Sequence, residues 1–274
     1  MSKVRFITRA DDIGSSHSAN LAAAKVAKAG FIRNFSLMAP GAFIEEAAQM
    51  FAARKDICLG MHTTLNAEWD KVKWKPILPL DSSSGLVDEN GYFLADPSMF
   101  VDTKPSVETV MAEVNAQFEH LHKLGFDIKY IDSHMLSELH VEGMDEAIEE
   151  FAKQKGVLDH MYFYNLPPGF EEFAKNPSNP LRYLKSIPPG QYFLAIHPSL
   201  DTEEMRQTGN ASTSGIDIAK GRANETKLFS GFLLKFLMGR AGCCGIRYDE
   251  AEIDKRVTID EVREVLSKAN SEEK

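Results

Sequence analysis

The sequence predicts an α/β protein whose strands run mostly parallel and curl into a closed or nearly closed barrel. Three observations carry that expectation. Short apolar or β-branched runs alternate with longer stretches of helical period, the signature of repeated βα units. The chain has 274 residues, a length common for an α/β barrel built as one domain. Its hydrophobic share of 43% and charged share of 26% form a globular balance able to fill a sizeable core.

Val4-Arg5-Phe6-Ile7-Thr8 alternates and is β-branched, so it reads as the first strand. Ala19 to Ala29 is Ala-rich and helical, and Gly30 punctuates its end. Phe35 to Met38 is a strand stopped by Pro40-Gly41; Ile44 to Arg54 is a helix; Ile57 to Met61 is a short buried strand. Val107 to Leu124 is a long amphipathic helix, opened by a Ser106 cap and closed by Gly125. Ile128 to Ile131 is a strand and Met144 to Gln154 a helix. Tyr162-Phe163-Tyr164 and Tyr192 to Ile196 read as two more strands. Helices around Thr226 to Met238 and Ile259 to Lys268 finish the chain.

Two stretches break the rhythm. Leu65 to Lys104 carries Trp69, Trp74, several prolines and Asp88-Glu89-Asn90-Gly91, a hairpin signal. Leu166 to Gly190 is rich in Pro and Asn. Loops this long inside a compact domain serve as lids or binding walls. There is no internal repeat or linker, so residues 1–274 read as one domain with an excursion at 65–104.

The net charge of −9 argues against nucleic acid and against an anionic membrane surface. No apolar run approaches the length that spans a bilayer. Met1-Ser2-Lys3 enters a strand without an apolar leader, which predicts no secretory signal and a cytoplasmic protein. Three cysteines, Cys58, Cys243 and Cys244, suit reduced thiols in that compartment.

The polar residues at the strand ends carry the chemistry. Asp11 and Asp12 directly follow the first strand. Two like charges that close either raise one pKa or recruit a cation. A divalent metal on one carboxylate, with the other free to move protons, explains the pair; a solvated turn capping the next helix is the alternative. His62, His134 and His197 each follow another predicted strand. In a parallel barrel those ends converge on one face. Two imidazoles and one carboxylate leave coordination positions open, as a catalytic metal site requires.

Arg9-Ala10-Asp11-Asp12-Ile13-Gly14 resembles the opening motif of the YdjC-like carbohydrate deacetylases, the family that includes chitooligosaccharide deacetylase. Gly60-Met61-His62-Thr63-Thr64-Leu65-Asn66, Asp132-Ser133-His134-Met135 and Ile196-His197-Pro198 resemble three later segments of that family, in the same order. The resemblance implies a seven-stranded, distorted TIM-like barrel and hydrolysis of an acetyl group from an N-acetylated sugar. It implies one divalent metal ion, Mg²⁺ or Zn²⁺, on Asp12, His62 and His134, with Asp11 as base and His197 as acid. It also implies a small carbohydrate as partner and a homodimer. Two positions depart from the pattern: Leu136 replaces a second histidine, and Arg9 replaces a small polar residue. Both bear on substrate choice.

Around this centre, Arg9 borders the pocket as a substrate contact. His17 is within reach of the pocket mouth, as a substrate contact or as part of a helix start. Trp69 and Trp74 either stack on a sugar ring or anchor their loop. His120 and His122 face different directions on one helix and cannot share a metal. His140 and His160 read as structural, as do Arg222 and Glu225, which resemble a family Arg-x-x-Glu pair. Cys243-Cys244 reads as small buried hydrophobes. Two other readings stand beside the hydrolase: a metal-dependent sugar isomerase using Asp11 to abstract a proton, and a non-catalytic carbohydrate-binding barrel.

Overall fold

The computed structural model describes residues 4–170 and 179–264. Seven parallel strands form the sheet: β1 (Val4–Ile13), β2 (Asn34–Leu37), β3 (Cys58–Thr63), β4 (Ile128–Ser133), β5 (Leu158–Asp159), β6 (Gly190–Ile196) and β7 (Cys243–Ile246). Their order is β5-β4-β3-β2-β1-β6, with β7 also paired to β1. β6 takes one edge of β1 from Val4 to Ala10, so the other edge is shared: β7 pairs with its first half and β2 with its second. β5 and β6 end the path without pairing, which leaves the sheet a half-barrel. The expected seven parallel strands are present, and the expectation of a closed or nearly closed barrel is corrected to a half-barrel among the described residues.

The helices that accompany the sheet include α1 (His17–Ala29), α2 (Ile44–Phe51), α3 (Phe100–Thr103), α4 (Val107–Lys123), α5 (Met144–Lys155), α6 (Pro180–Ser186), α7 (Gly215–Ser230) and α8 (Phe232–Ala241), and residues 259–264 are helical as well. None is long and apolar enough to cross a membrane. α1 opens on Ser16, whose side chain accepts from the Ala19 N–H, and closes on Gly30 at φ +79°.

The two-residue period of the strands sorts their side chains into two layers. Phe6, Phe35, Leu59, Ile131 and Tyr192 belong to the large core that includes the helix faces. Ile7, Cys58, Tyr130 and Phe193 form a second core inside the half-barrel. The same parity continues to the strand ends, where it delivers Arg9 and Asp11, His62, Asp132 and His134, and His197. A Cβ on Gly60 would run into the Tyr130 ring, so glycine at that position makes room for the inner core.

Several expected boundaries shift. Tyr162-Phe163-Tyr164 is not a strand: β5 lies just before it, and residues 160–163 form a 3₁₀ turn. Asp159 caps that turn by accepting from the Met161 N–H, a local signal stronger than the aromatic run. The last helices begin earlier than expected, at Gly215. The stretch 166–190 contains α6, while its residues 171–178, and 265–268 of the final expected helix, lie outside the described residues. In the excursion, the 88–91 turn closes a small hairpin with Val87 bridged to Phe93.

Candidate active site

Asp12, His62 and His134 converge at the open end of the half-barrel. Asp12 Oδ1 lies 3.5 Å from His62 Nε2 and 3.4 Å from His134 Nδ1, and those two nitrogens are 3.2 Å apart. All three residues are buried. Asp12 Oδ1 has no hydrogen-bond partner among the described residues. An unpaired buried carboxylate oxygen facing two ring nitrogens fits a cation that all three would ligate.

Each imidazole is held from behind by a second carboxylate. His62 Nδ1–H donates to Asp132, and His134 Nε2–H to Glu68 at 3.0 Å. This fixes the tautomers so that the opposite nitrogens present lone pairs to the shared point. Burial alone would lower both histidine pKa values. Asp132, Asp12 and Asp11 outweigh it at His62, holding it at about 9; Glu68 and Asp12 do so at His134, at about 10. The cluster therefore attracts positive charge, whether protons or a metal. Burial would raise the Asp12 carboxyl, but Arg222 and the two imidazoles hold it well below the ordinary range.

Period two would send adjacent strand residues to opposite faces. Asp11 and Asp12 nevertheless line one cavity, because the β1–β2 register shifts there and Asp12 takes φ +63°. Met135 and Leu136 also have positive φ, at +54° and +51°, and they turn the chain directly after His134. Three strained non-glycine residues thus gather at one site.

Asp11 is paired with Arg9. Arg9 Nε and Nη2 donate to its two oxygens at 2.6 and 2.7 Å. Arg9 Nη1 reaches Asp132 at 3.1 Å and lies 3.4 Å from His160 Nδ1, and the guanidinium sits over the Phe193 ring. Arg9, expected as a substrate contact, lines the cavity, and its buried guanidinium tethers Asp11 and Asp132. His197 is half exposed at 47%, with Nε2 4.0 Å from Asp11 Oδ2.

Arg222 and Glu225, expected to be structural, reach the site from one face of α7. Arg222 Nη1 donates to Asp12 Oδ2 at 2.7 Å, and Glu225 accepts from the His197 backbone N–H at 2.7 Å. His160, also expected to be structural, lines the cavity beside Arg9. Burial and the Arg9 cation lower its pKa to about 4, so it is neutral.

The cavity over this cluster measures about 750 Å³. Its walls include Glu68, Trp69 and Asp96 from the excursion, Met135 and Leu136, and Tyr164 with Phe193. Trp69 faces the cavity. Trp74 is 6% exposed, donates from Nε1 to the Asn66 carbonyl, and stands edge-on to His134 at 6.2 Å, so it is no open platform here. His17 does not line the cavity; its half-exposed ring pairs with Glu46 at 2.6 Å, which its place at the first turn of α1 dictates.

Sequence comparison places this geometry among known proteins. The profile of the YdjC-like protein family matches residues 5–232. The chain belongs to that family. A carbohydrate deacetylase of Thermoanaerobacter pseudethanolicus is 30% identical over 161 residues, 59% of this chain and 58% of the relative. The chain thus matches a little over half of that relative's length. A carbohydrate deacetylase of Enterococcus faecalis is 26% identical over 271 residues, 97% of this chain and 94% of the relative. The crystal structure of a protein described for cellobiose-phosphate cleavage, from Enterococcus faecalis, covers 90% of this chain and 98% of its own. It superposes with a TM-score of 0.69 at 17% identity, which shows a shared fold.

Reading the sequence alone misses Asp132 and Glu68 as the carboxylates behind the histidines. Asp132 was available in principle, two residues before His134 and hence on the same strand face. Glu68 carried no such signal, because it arrives from an irregular loop.

Proposed function

We propose that this YdjC-like protein is a metal-dependent hydrolase that removes an acetyl group from an N-acetylated sugar. The observation that carries the reading is the orphaned Asp12 oxygen facing His62 and His134, with Asp11 and His197 beside it under one cavity. Asp12, His62 and His134 would hold the ion; Mg²⁺ and Zn²⁺ are the candidates, and two imidazoles favour Zn²⁺. Bound there, a divalent metal supplies a Lewis acid that polarises the amide carbonyl and acidifies water.

The chain's own residues supply the proton traffic. Asp11, oriented by the Arg9 fork, accepts a proton from the attacking water. His197 stands across from it at the open side, where it gives a proton to the leaving amine. Glu225 fixes the His197 backbone, and Arg222 keeps Asp12 ionised. Trp69 offers an aromatic wall for the apolar face of a sugar ring. The names of the relatives support the same reaction. A lysine or a second acidic residue at another strand end would favour the isomerase alternative; no lysine is among the described residues that line the cavity, and Asp132 at the end of β4 is taken up by Ser36, His62 and Arg9.

Acetate release from N-acetylated mono- and oligosaccharides, with Zn²⁺ or Mg²⁺ supplied and then chelated, tests the proposal. Chelator-sensitive acetate supports it; no acetate from any substrate with either metal refutes it. A cytoplasmic location and a homodimer belong to the same proposal, and sedimentation velocity at micromolar concentration checks the latter.

A further inference from the structure

A second cavity, of about 310 Å³, lies against the first. Asp12, Trp69 and Arg222 line both, so the two meet beside the Asp12–His62–His134 cluster. Its walls are mainly apolar, built by Ala42, Phe43, Trp69, Val72, Trp74 and Met205. Trp74 joins this wall to His134, against which its ring stands.

The polar side chains of this second cavity are committed elsewhere. Ser15 Oγ donates to the Asp12 carbonyl at 2.7 Å, and Ser16 Oγ accepts from the Ala19 N–H at 3.0 Å. Thr208 Oγ1 donates to the Met205 carbonyl at 2.6 Å. Glu204 accepts from the His17 and Ser18 N–H groups and from the Ser18 hydroxyl. Gln207 Nε2 donates to Glu203 at 3.0 Å. Among the described residues, what stays open is the Gln207 side-chain carbonyl, the Ser16 hydroxyl hydrogen, the Trp69 indole N–H and the Asp12–Arg222 pair at the junction. A sugar ring needs a partner for nearly every hydroxyl it buries. An alkyl chain needs none and gains from leaving water.

We propose that this cavity receives the acyl chain of the substrate, and that the site prefers N-acyl groups longer than acetyl. The inference rests on the hydrolase reading above and specifies its substrate class. An acetyl methyl needs little more than the roughly 30 Å³ share of one water. The cavity is about ten times that, enough for a chain of several methylenes. With the carbonyl at the junction, the sugar lies in the larger cavity and the chain in the smaller one. The reaction is a hydrolysis without redox change. Water oxygen bonds to the acyl carbon, the C–N bond breaks, and a proton passes to the amine nitrogen. A fatty carboxylate and a free amino sugar result.

The test compares glucosamine carrying N-acetyl, N-butanoyl or N-hexanoyl groups, read as free amine released by the zinc-supplemented full chain. Hexanoyl adds four methylenes to acetyl, each worth about fourfold when fully buried, so kcat/KM should rise by up to about 250-fold, and by about tenfold or more if only two of the four are buried. A42F, at the exposed mouth of the cavity, should lower the hexanoyl-to-acetyl ratio by about tenfold; V72W is the second filling variant. Acetyl preferred by tenfold, or a ratio that neither variant moves, overturns the inference while leaving the hydrolase intact. If none of the three is hydrolysed, the broader acetate-release screen decides the hydrolase reading and product binding decides the cavity separately. Hexanoate raising the melting temperature more than acetate, with the difference lost in A42F, supports an acyl cavity; equal shifts overturn it.

Discussion

Replacing Asp132 with Asn isolates the carboxylate behind His62. Asp132 is fully buried and takes three partners: the His62 Nδ1–H, the Ser36 hydroxyl and Arg9 Nη1 at 3.1 Å. Asparagine keeps the shape, loses the charge and presents an N–H where an acceptor stood. Against His62, that N–H turns Nδ1 into an acceptor and moves the ring proton to Nε2, the atom facing Asp12. Nε2 then has no lone pair to give. Backing groups of this kind are worth about 10–100-fold in metal affinity, or about 1.4–2.7 kcal/mol. Arg9 also loses one of its two carboxylates. Removing one partner of a buried pair costs about 3–5 kcal/mol, and the retained Asp11 fork brings the expected loss to about 2–3 kcal/mol. Calorimetric titration of Zn²⁺ into metal-stripped D132N, with a competing chelator, reads the first effect, and urea unfolding reads the second. Zinc affinity equal to wild type in a folded variant would refute the argument. Glu68→Gln makes the parallel test at His134.

Asp11→Asn should reduce turnover by about 10²–10⁴ with metal content retained; loss of metal together with activity would make Asp11 a ligand. Trp69→Ala should raise KM for the sugar with little change in stability. Trp74→Ala, by contrast, removes a buried ring and should cost about 3–5 kcal/mol by denaturant titration. Equal behaviour of the two tryptophan variants would contradict their different placement. His160 has a pKa lowered to about 4 by burial and Arg9, against about 6.5 unfolded. Between those values the unfolded chain takes up a proton that the folded chain refuses, so stability rises with pH across that window, by about 3 kcal/mol in all. His160→Asn should therefore lose less stability than wild type between pH 7 and pH 4. Parallel pH profiles would remove His160 from the account.

The sequence by itself determined the alternating βα order and the placement of polar residues at strand ends, because both follow from period and turn chemistry along the chain. Asp11, Asp12, His62, His134 and His197 were legible as a set for that reason, and their order along the chain resembles one family. The aromatic run at 162–164 misled because strand propensity there yields to the Asp159 cap. Only the tertiary structure decided that the sheet stays open, since closure depends on the short β5 meeting β6. It also decided what each polar residue does. Arg9 turns inward because two buried carboxylates, Asp11 on its own strand and Asp132 on β4, outweigh its desolvation. Arg222 reaches Asp12, and Glu68 reaches His134, over separations of 210 and 66 residues. Ion pairs of that kind are set by where helices and loops pack, and no local periodicity encodes them.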